Sequence, residues 1–410
     1  MGIALERCVA LGPAGVISPG SAQDYRIGNN RVWLTDSRTP WVRLWPDWPS
    51  LMPIADQLDQ PRIAALDAQI AQARADGLRV VLTPYRFPTW ANGTDAMTPE
   101  QLTATMPDRR TSSQPDTRAK TLLFRYPDDL SATGAFGRFL RLLIERYSPD
   151  SPNRPTPGMS VDIIELCNEP NLQWWPQQAP STTADPYAQG PIVVHDAIVQ
   201  MFITAKRIVD DAGSAIVLAG PGSADLTIGS RLRTSYRALA EAILTNLTAA
   251  GFIPGPRFAW THHNYADVTY DQGRGSTAPD AATNPARQTN LAADMRKRLV
   301  GRWEGWPAGD ARHPQLLLTE GGATLNSMQT RYGLTDPADQ RRKQAQLIQR
   351  NWNRMASPRG DGAGIAMTTN YLLYSDANFD SGLCEEYAAG GATRPSYDTW
   401  KRLRWPRRFR

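Results

Sequence analysis

Two glutamates, Glu169 and Glu320, each follow an apolar stretch that is typical of a buried strand. Glu169 comes after residues 161–168 (VDIIELCN), and Glu320 comes after residues 315–319 (QLLLT). A carboxyl group at a strand end can donate or accept a proton, or attack an electrophilic carbon. If both strands belong to one parallel barrel, their carboxyl ends lie on the same rim, so the two side chains can meet despite their separation in sequence.

A pair of facing carboxyl groups is what cleavage of a glycosidic bond with retention requires. The two groups then lie about 5–5.5 Å apart, one acting as acid and base and the other as nucleophile. We therefore expect Glu169 and Glu320 to be catalytic, with no cofactor. Taken singly, either glutamate could instead form a surface salt bridge at its strand end.

Repeated strand–helix units surround these glutamates in the sequence. Short apolar or β-branched runs, most of them followed by a helical pattern, indicate βα units. The clearest runs are residues 41–45, 78–83, 161–167, 215–219, 257–261, 315–319 and 364–369, with residues 3–11 as an eighth. Apolar stripes at helical spacing lie at residues 63–73, 136–147, 194–208, 236–247 and 345–355. Eight such units predict an α/β fold, a (β/α)8 TIM barrel.

The whole chain, residues 1–410, is expected to form this barrel as a single catalytic domain with long βα loops. Residues 1–40 make its least regular unit, because the Gly- and Pro-rich part up to Pro40 shows no helical pattern. Residues 393–410 form a C-terminal tail or helix. Long polar segments follow strand ends at residues 86–129, 177–190 and 265–290. Loops after barrel strands build the active-site face, so these segments would surround one pocket.

Composition excludes several classes of protein. Hydrophobic residues are 41% and charged residues 21% of the 410, which is near the globular average and excludes a disordered or fibrous chain. The net charge is +5, and the dense basic cluster at residues 401–410 is interpreted as a solvated end rather than a nucleic-acid contact. No apolar run approaches the roughly 20 residues of a membrane span, so no membrane partner is expected. The N-terminus lacks a signal-peptide pattern, which favours the cytoplasm, or secretion after removal of a leader.

The motif Asn-Glu-Pro at residues 168–170, after the fourth strand, and Thr-Glu-Gly at residues 319–321, after the seventh, occur in a characteristic order. They resemble the motifs of the clan A glycoside hydrolases, retaining barrel enzymes that include families 5 and 39. The resemblance covers most of the chain. It implies that Glu169 is the acid/base, that Glu320 is the nucleophile, and that Asn168 hydrogen-bonds the 2-hydroxyl group of the sugar.

Two further elements resemble the same clan. Residues 260–265 (WTHHNY) end the sixth strand like the clan's His-x-Tyr, which implies that Tyr265 hydrogen-bonds the nucleophile and that His263 lines the site. Arg43 resembles the second-strand arginine that pairs with the nucleophile. A buried guanidinium without a carboxylate is costly, so Arg43 must face Glu320 or another acid.

The adjacent histidines, His262 and His263, also raise the question of a metal site. Successive residues of a strand point to opposite faces, and the sequence offers no obvious third ligand. We therefore expect no metal, and we expect one of the two histidines to lie in the core.

Aromatic residues near strand ends suit a carbohydrate ligand, because sugar faces stack on rings. Trp90, Trp174, Trp175 and Trp260 are the candidates, with ordinary packing as the alternative. The third strand leads into residues 82–90 (LTPYRFPTW), which lack the family 5 histidine and are more similar to family 39. After the eighth strand, where many clan members have a tryptophan, the sequence has Asn370 followed by tyrosine, and Asn370 is included among the substrate-binding candidates.

The function expected from these residues is hydrolysis of O-glycosidic, by resemblance β-linked, bonds through a covalent glycosyl-enzyme intermediate. The substrate would be an oligosaccharide, a polysaccharide or a glycoside. A non-catalytic carbohydrate-binding barrel and a metal-dependent sugar isomerase are the alternatives. The isomerase would need several carboxylate and imidazole ligands, and the chain has four histidines. A transglycosylase would share the whole apparatus.

Overall fold

A computed structural model describes residues 6–10, 25–26, 30–96, 98, 126–172, 195–226, 234–269, 291–299, 302, 315–356, 365–375, 379–386 and 390–403. Eight parallel strands close a barrel in which each strand pairs with its neighbours in sequence and the last pairs with the first. They are β1 (Glu6–Ala10), β2 (Trp41–Leu44), β3 (Arg79–Leu82), β4 (Ile163–Glu165), β5 (Val217–Ala219), β6 (Phe258–His263), β7 (Gln315–Glu320) and β8 (Ile365–Tyr371). The predicted (β/α)8 barrel is confirmed.

The five predicted apolar stripes each match a helix, and eleven helices lie among the described residues. They are α1 (Asn30–Asp36), α2 (Trp48–Leu51), α3 (Gln60–Ala75), α4 (Ala135–Tyr147), α5 (His195–Asp211), α6 (Tyr236–Ala249), α7 (Tyr265–Thr269), α8 (Leu291–Leu299), α9 (Leu325–Tyr332), α10 (Pro337–Met355) and α11 (Pro395–Arg402). Helix α1 was not expected, because its seven residues hold too few apolar positions to show a period. None of the described helices is long and apolar enough to cross a membrane.

Side chains alternate between the inside of the barrel and the layer under the helices. Every strand contributes at least one apolar residue to a cluster inside the barrel: Cys8, Trp41, Val81, Ile163, Ala219, Ala259, Leu317, Ala366 and Met367. The next residue of β4, Ile164, belongs instead to the larger cluster packed against the helices. This period of two places Glu165, the last residue of β4, back inside the barrel.

The two ends of the chain close the barrel together. Strand β1 pairs with both β2 and β8. The Arg7 guanidinium is buried and donates to the carbonyls of Ser37 (3.1 Å) and Arg38 (2.8 Å), just after α1, and to the carbonyl of Trp400 in α11. The irregular first unit is therefore fixed by charge-assisted hydrogen bonds to the last helix. The assignment of the whole chain to one domain stays a prediction.

Candidate active site

The chain leaves β4 through an unusual backbone turn that carries Glu169. Cys167 and Glu169 both have positive φ, 61° and 49°, which non-glycine residues rarely adopt. The Glu169 amide donates to the Gly222 carbonyl at 2.6 Å, and the Gly222 amide donates to the Cys167 carbonyl at 3.0 Å. The turn is therefore held by backbone hydrogen bonds to the segment that follows β5, and it places Glu169 at the barrel mouth.

Glu320, at the end of β7, is held on both carboxylate oxygens. Its Oε1 accepts a hydrogen bond from Arg43 Nη1 at 2.7 Å, and its Oε2 accepts one from Tyr265 Oη at 2.7 Å. The side chain is only 4% exposed. A register shift between His262 and His263 brings His263 opposite Glu320 in the β6–β7 ladder. Both contacts implied by the resemblance, from Arg43 and from Tyr265, are present.

Glu169, Glu320 and His263 converge on one point. One oxygen of each carboxylate and one imidazole nitrogen all lie within 4.8 Å of one another. The distance from His263 Nδ1 is 2.9 Å to Glu169 Oε1 and 3.5 Å to Glu320 Oε2. The Glu169 side chain is 17% exposed, whereas that of His263 is fully buried. The two glutamates therefore lie close together beyond the carboxyl ends of β4 and β7, as their places at strand ends predicted.

Arg43 pairs with Glu320 and also with a second acid, Glu165. The guanidinium is fully buried in β2 and contacts Glu165 as well as Glu320. Its Nε and Nη2 donate to Glu165 Oε2 at 2.8 Å and 2.5 Å, and Nη2 also donates to Asn168 Oδ1 at 2.8 Å. Arg43 thus links the two strand-end motifs, at Asn168 and at Glu320, to a third acid.

Glu165 is the residue of this site that sequence reasoning missed. It accepts hydrogen bonds from Thr83 Oγ1 at 2.8 Å and from Thr319 Oγ1 at 2.6 Å in addition to Arg43. Burial opposes its ionisation, but the guanidinium of Arg43 and these hydroxyl donors hold the pKa of the Glu165 carboxyl below its ordinary value. The signal was a single acidic residue in the otherwise apolar run of β4, which a buried strand tolerates only with a partner.

Burial shifts the pKa values of Glu320 and of the neighbouring Tyr265 and His263. Burial raises the pKa of Glu320, against the lowering influence of His263 and Arg43. Burial and the nearby Glu320 carboxylate raise the pKa of Tyr265 well above its ordinary value, so its phenol remains a donor. Burial lowers the pKa of His263, which makes the imidazole neutral. In the described part of the chain His263 Nε2 has no hydrogen-bond partner, which leaves Nδ1 as the nitrogen that faces the acids.

Several aromatic rings pack against one another beside the acid pair. Trp45 lies 5.5 Å from Tyr85 and 6.3 Å from Tyr371 between ring centroids, and Tyr371 lies 6.2 Å from Tyr265 and 5.3 Å from Phe379. The Arg43 guanidinium lies 4.1 Å from the centroid of the Trp45 ring. Tyr85 and Tyr371 come from the third and eighth strand ends, where the sequence departs from family 5, and those departures were the available signal.

Trp260 is not a substrate-binding residue, contrary to the sequence prediction. It is fully buried in the cluster under the helices, because the alternation of β6 turns it outward. His262 lies on the same outward face, where its ring centroid is 5.0 Å from that of Tyr236 and its Nδ1 is 2.9 Å from Ser223 Oγ. The expectation that one of the two histidines lies in the core is thus confirmed.

Two other predicted contacts hold loops instead of facing the acids. Trp90 packs edge-on against Trp48 at 6.2 Å and donates from Nε1 to the Met52 carbonyl at 2.9 Å. Asn370 is 2% exposed, and its Nδ2 donates to the Leu372 carbonyl at 2.9 Å, which supports the loop after β8. Both assignments to the substrate stay predictions. Trp174 and Trp175 lie outside the described residues.

The convergence of His263 with two carboxylates also bears on metal binding. The sequence offered no third ligand beside the histidines, but the fold brings Glu169 and Glu320 to His263. Imidazole and carboxylate donors suit Zn²⁺. However, the Arg43 cation already occupies one oxygen of Glu320, so the donor set fits a carboxylate balanced by arginine better than one balanced by a metal ion.

Comparison with known proteins gives similarity of fold. No family model matches the sequence, and no curated protein matches it. A family 39 glycoside hydrolase from Bacteroides cellulosilyticus WH2 superposes with a TM-score of 0.51 at 14% identity over 97% of this chain, which spans only 63% of that structure. A GH5_18 structure from Streptomyces cattleya in complex with GlcNAc gives 0.52 at 14% over 99% of this chain and 83% of that one. A GH5-4 broad-specificity endoglucanase from Clostridium acetobutylicum gives 0.51 at 13%, covering 97% of both.

At these identities the comparison establishes the fold and no more. These three solved structures are glycoside hydrolases of families 39 and 5, the two families whose motifs the sequence resembles. The expected resemblance is therefore confirmed as a likeness of barrel architecture.

Proposed function

We propose that this protein is a retaining glycoside hydrolase that cleaves O-glycosidic, β-linked bonds of saccharide substrates. The observation that carries the proposal is the approach of Glu169 and Glu320, whose oxygens lie within 4.8 Å across one cavity. Retaining enzymes hold their carboxyl pair about 5–5.5 Å apart, whereas inverting enzymes leave room for a water molecule at about 6.5–9.5 Å.

The two carboxyls have different surroundings, which assigns their roles. Burial raises the pKa of Glu320, but the hydrogen bonds from Arg43 and Tyr265 favour its ionised form and orient it for attack. Glu169 is more exposed and faces the imidazole of His263, so it can exchange a proton with a leaving group or water. Glu320 is the nucleophile and Glu169 the acid/base.

The reaction proceeds in two displacements. Glu320 attacks the anomeric carbon, and the bond to the leaving oxygen breaks while Glu169 gives that oxygen its proton. In the second displacement the Glu169 carboxylate takes a proton from water, whose oxygen attacks the same carbon and releases Glu320. The configuration at the carbon is inverted twice and hence retained.

The substrate class rests on the site and on the proteins of similar fold. Asn168, fixed by the contact of its Oδ1 with Arg43, lies beside the acid pair where it can bind a sugar hydroxyl. The rings of Tyr85 and Tyr371, which are only partly buried, offer stacking surfaces near the acid pair. The similar barrels include one bound to GlcNAc and one endoglucanase, which supports a saccharide. Cytoplasmic or secreted location, and the lack of nucleic-acid and membrane partners, stay predictions.

A panel of aryl glycosides tests the proposal. Wild type should hydrolyse at least one of them with the first-formed sugar in the retained configuration, as followed by proton NMR. Glu320→Gln should lose about 10³-fold or more of kcat, as removal of a catalytic nucleophile does. Glu385→Gln, which alters an ion pair with Arg341 and Arg394 outside the site, is the matched control and should keep wild-type turnover. An inverted product, or substrates that bind and are never cleaved, would refute the proposal.

The meeting of His263 with both glutamates is the one observation that favours a second function, metal-dependent sugar isomerisation. Dialysis against a chelator separates the two. Activity that survives chelation supports the glycosidase, whereas activity that is lost and then restored by Zn²⁺ or Mn²⁺ supports the metal enzyme.

A further inference from the structure

Glu165 lies in the barrel where no substrate can reach it. Its side chain is fully buried, at 0% exposure. The groups that donate to it come from three directions: Arg43 on β2, Thr83 directly after β3 and Thr319 on β7. Glu165 is therefore not a second acid/base, and its contribution to the site must pass through these neighbours.

The donors of Arg43 are divided between Glu165 and the reaction site. Nε and Nη2 point to Glu165 Oε2, Nη1 points to Glu320, and Nη2 also reaches Asn168. A guanidinium is planar and its donors have fixed directions. The two hydrogen bonds from Nε and Nη2 to Glu165 Oε2 consequently decide where Nη1 meets Glu320 and where Nη2 meets Asn168.

In the cluster of Arg43, Glu165 and Glu320, acidic groups outnumber basic ones. One cation, Arg43, lies between the two buried carboxylates of Glu165 and Glu320. With Glu165 ionised, its charge offsets that of Arg43, so the guanidinium orients Glu320 by hydrogen bonding without leaving it fully neutralised. A nucleophile paired with an unshared arginine would be less basic and less reactive.

Gly222 leaves the space that Glu165 requires. A Cβ atom built on Gly222 would lie 2.8 Å from Glu165 Oε1 and 3.1 Å from His263 Nε2. The same residue accepts the backbone hydrogen bond of Glu169. Glu165 therefore lies close to Gly222, whose carbonyl binds the Glu169 amide, and to Arg43, which binds Glu320.

We propose that Glu165 is a positioning residue that acts through Arg43: it fixes the guanidinium against Glu320 and Asn168 and offsets its charge. This inference rests on the proposed function, because it assigns Glu320 as the nucleophile. It adds a third carboxylate to the apparatus, one that never touches the sugar.

Glu165→Gln tests the inference, since it keeps the size of the side chain and removes its charge. The groups that face Glu320 are Arg43 from β2, Tyr85 after β3, Glu169 after β4, His263 from β6 and Tyr265 from α7, whereas Glu165 reaches it through Arg43. Without the Glu165 charge, Arg43 acts more strongly on Glu320. The acidic limb of kcat/KM should move to lower pH by about one unit. Misplacement of the guanidinium should lower kcat about 10- to 100-fold, with KM changed by less than about threefold.

The control and a second variant keep the test decisive. Glu385→Gln, an ion-paired glutamate outside the site, should leave the limb where it is in wild type. If Glu165→Gln does not fold, Thr319→Val removes the hydrogen bond to Glu165 Oε1 and should move the limb in the same direction by a smaller amount. A folded variant whose melting temperature falls while kcat and the acidic limb keep their wild-type values would overturn the proposal and leave Glu165 with a structural role only.

Titration of Glu320 by NMR separates this inference from the proposed function. Carboxyl-¹³C labelling of glutamate, with the Glu320 signal assigned by its loss in Glu320→Gln, follows ionisation without turnover. A lower pKa of Glu320 in Glu165→Gln supports the inference even for a wild type that cleaves no glycoside tested. An unchanged or higher pKa contradicts it whatever the activity.

Discussion

The hydroxyl group of Tyr265 is a single donor whose removal should be visible in both rate and pH profile. It is the only described partner of Glu320 Oε2 apart from the nearby His263. In Tyr265→Phe the carboxylate loses a hydrogen bond that favours its ionised form, so the pKa of Glu320 rises. Because the nucleophile must be ionised, the acidic limb of kcat/KM should move to higher pH, and kcat/KM should fall about 10- to 100-fold.

Tyr397→Phe is the control for that experiment. It removes a hydroxyl that donates to Asp36 Oδ2 at 2.8 Å, in α11 and away from the acid pair. It should lower stability slightly and leave the acidic limb unchanged. If both variants change the pH profile alike, the contact of Tyr265 with Glu320 has no special part in catalysis.

Gly222→Ala should damage the site through one added methyl group. The new Cβ would lie 2.8 Å from Glu165 Oε1, closer than real Cβ atoms come, and 3.1 Å from His263 Nε2, so Glu165 must shift and His263 must move by a few tenths of an ångström. We expect a loss of about 1–3 kcal/mol in the free energy of unfolding, as for overpacked cores, together with a fall in kcat. Urea denaturation and initial rates measure the two effects separately.

Gly251→Ala supplies the comparison for Gly222→Ala. Gly251 has a φ of +68°, and a Cβ atom added there would have no other atom within 4 Å. Alanine at this position therefore costs backbone strain of about 1 kcal/mol without touching the site. Equal activity losses in the two variants would mean that lost stability, rather than displacement of His263, explains the effect at Gly222.

Among individual residues, the sequence predicted Glu169 and Glu320 as the reacting groups but gave no role to Glu165, which contacts Arg43. Glu169, Glu320, Arg43 and Tyr265 could be found because each lies in a recognisable strand or within four residues of its end. Glu165 could not be given a role, because its partners come from three other strands and their proximity exists only after the barrel closes. Trp260 was misjudged for the opposite reason: position near a strand end does not say which face of the strand a side chain occupies.

Among the secondary-structure elements, closure of the barrel depends on contacts that no local pattern reveals. The eight strands were predictable from apolar runs, since each is buried on both sides. The attachment of β1 to α1 and α11 depends instead on Arg7, which joins residues nearly four hundred positions apart. A lone arginine in a strand gives no indication of such a partner.

Arg7→Met should therefore weaken closure of the barrel without changing the chemistry. The variant leaves the carbonyls of Ser37, Arg38 and Trp400 without their charged donor, and we expect a loss of about 3 kcal/mol in the free energy of unfolding. The kcat value at 25 °C should remain that of wild type. Arg31→Met removes an exposed ion pair with Asp76 and should cost less than about 1 kcal/mol; similar losses in both would argue against a special role of Arg7.

Across the whole molecule, the buried His262 and the half-buried Asp225 should make stability depend on pH in opposite directions. Burial lowers the pKa of His262 from 6.5 to about 3, so its neutral form stabilises the fold fully above pH 6.5, and that contribution is lost as the pH falls towards 3. Burial raises the pKa of Asp225 from 3.8 to about 7. Its contribution is full below pH 3.8 and is lost as the pH rises to 7. Between about pH 4 and 6.5 the two effects offset each other.

Removing either His262 or Asp225 should reveal the effect of the other on the free energy of unfolding, measured by denaturation at pH 7 and pH 4.5. In Asp225→Asn the free energy of unfolding should fall more on acidification than in wild type, by up to about 2–3 kcal/mol, since each unit of pKa shift is worth about 1.4 kcal/mol. In His262→Asn, which keeps a polar group opposite Ser223, it should fall less than in wild type. Parallel curves for all three proteins would mean that neither buried group governs acid unfolding, and that the catalytic carboxylates and their arginine govern it instead.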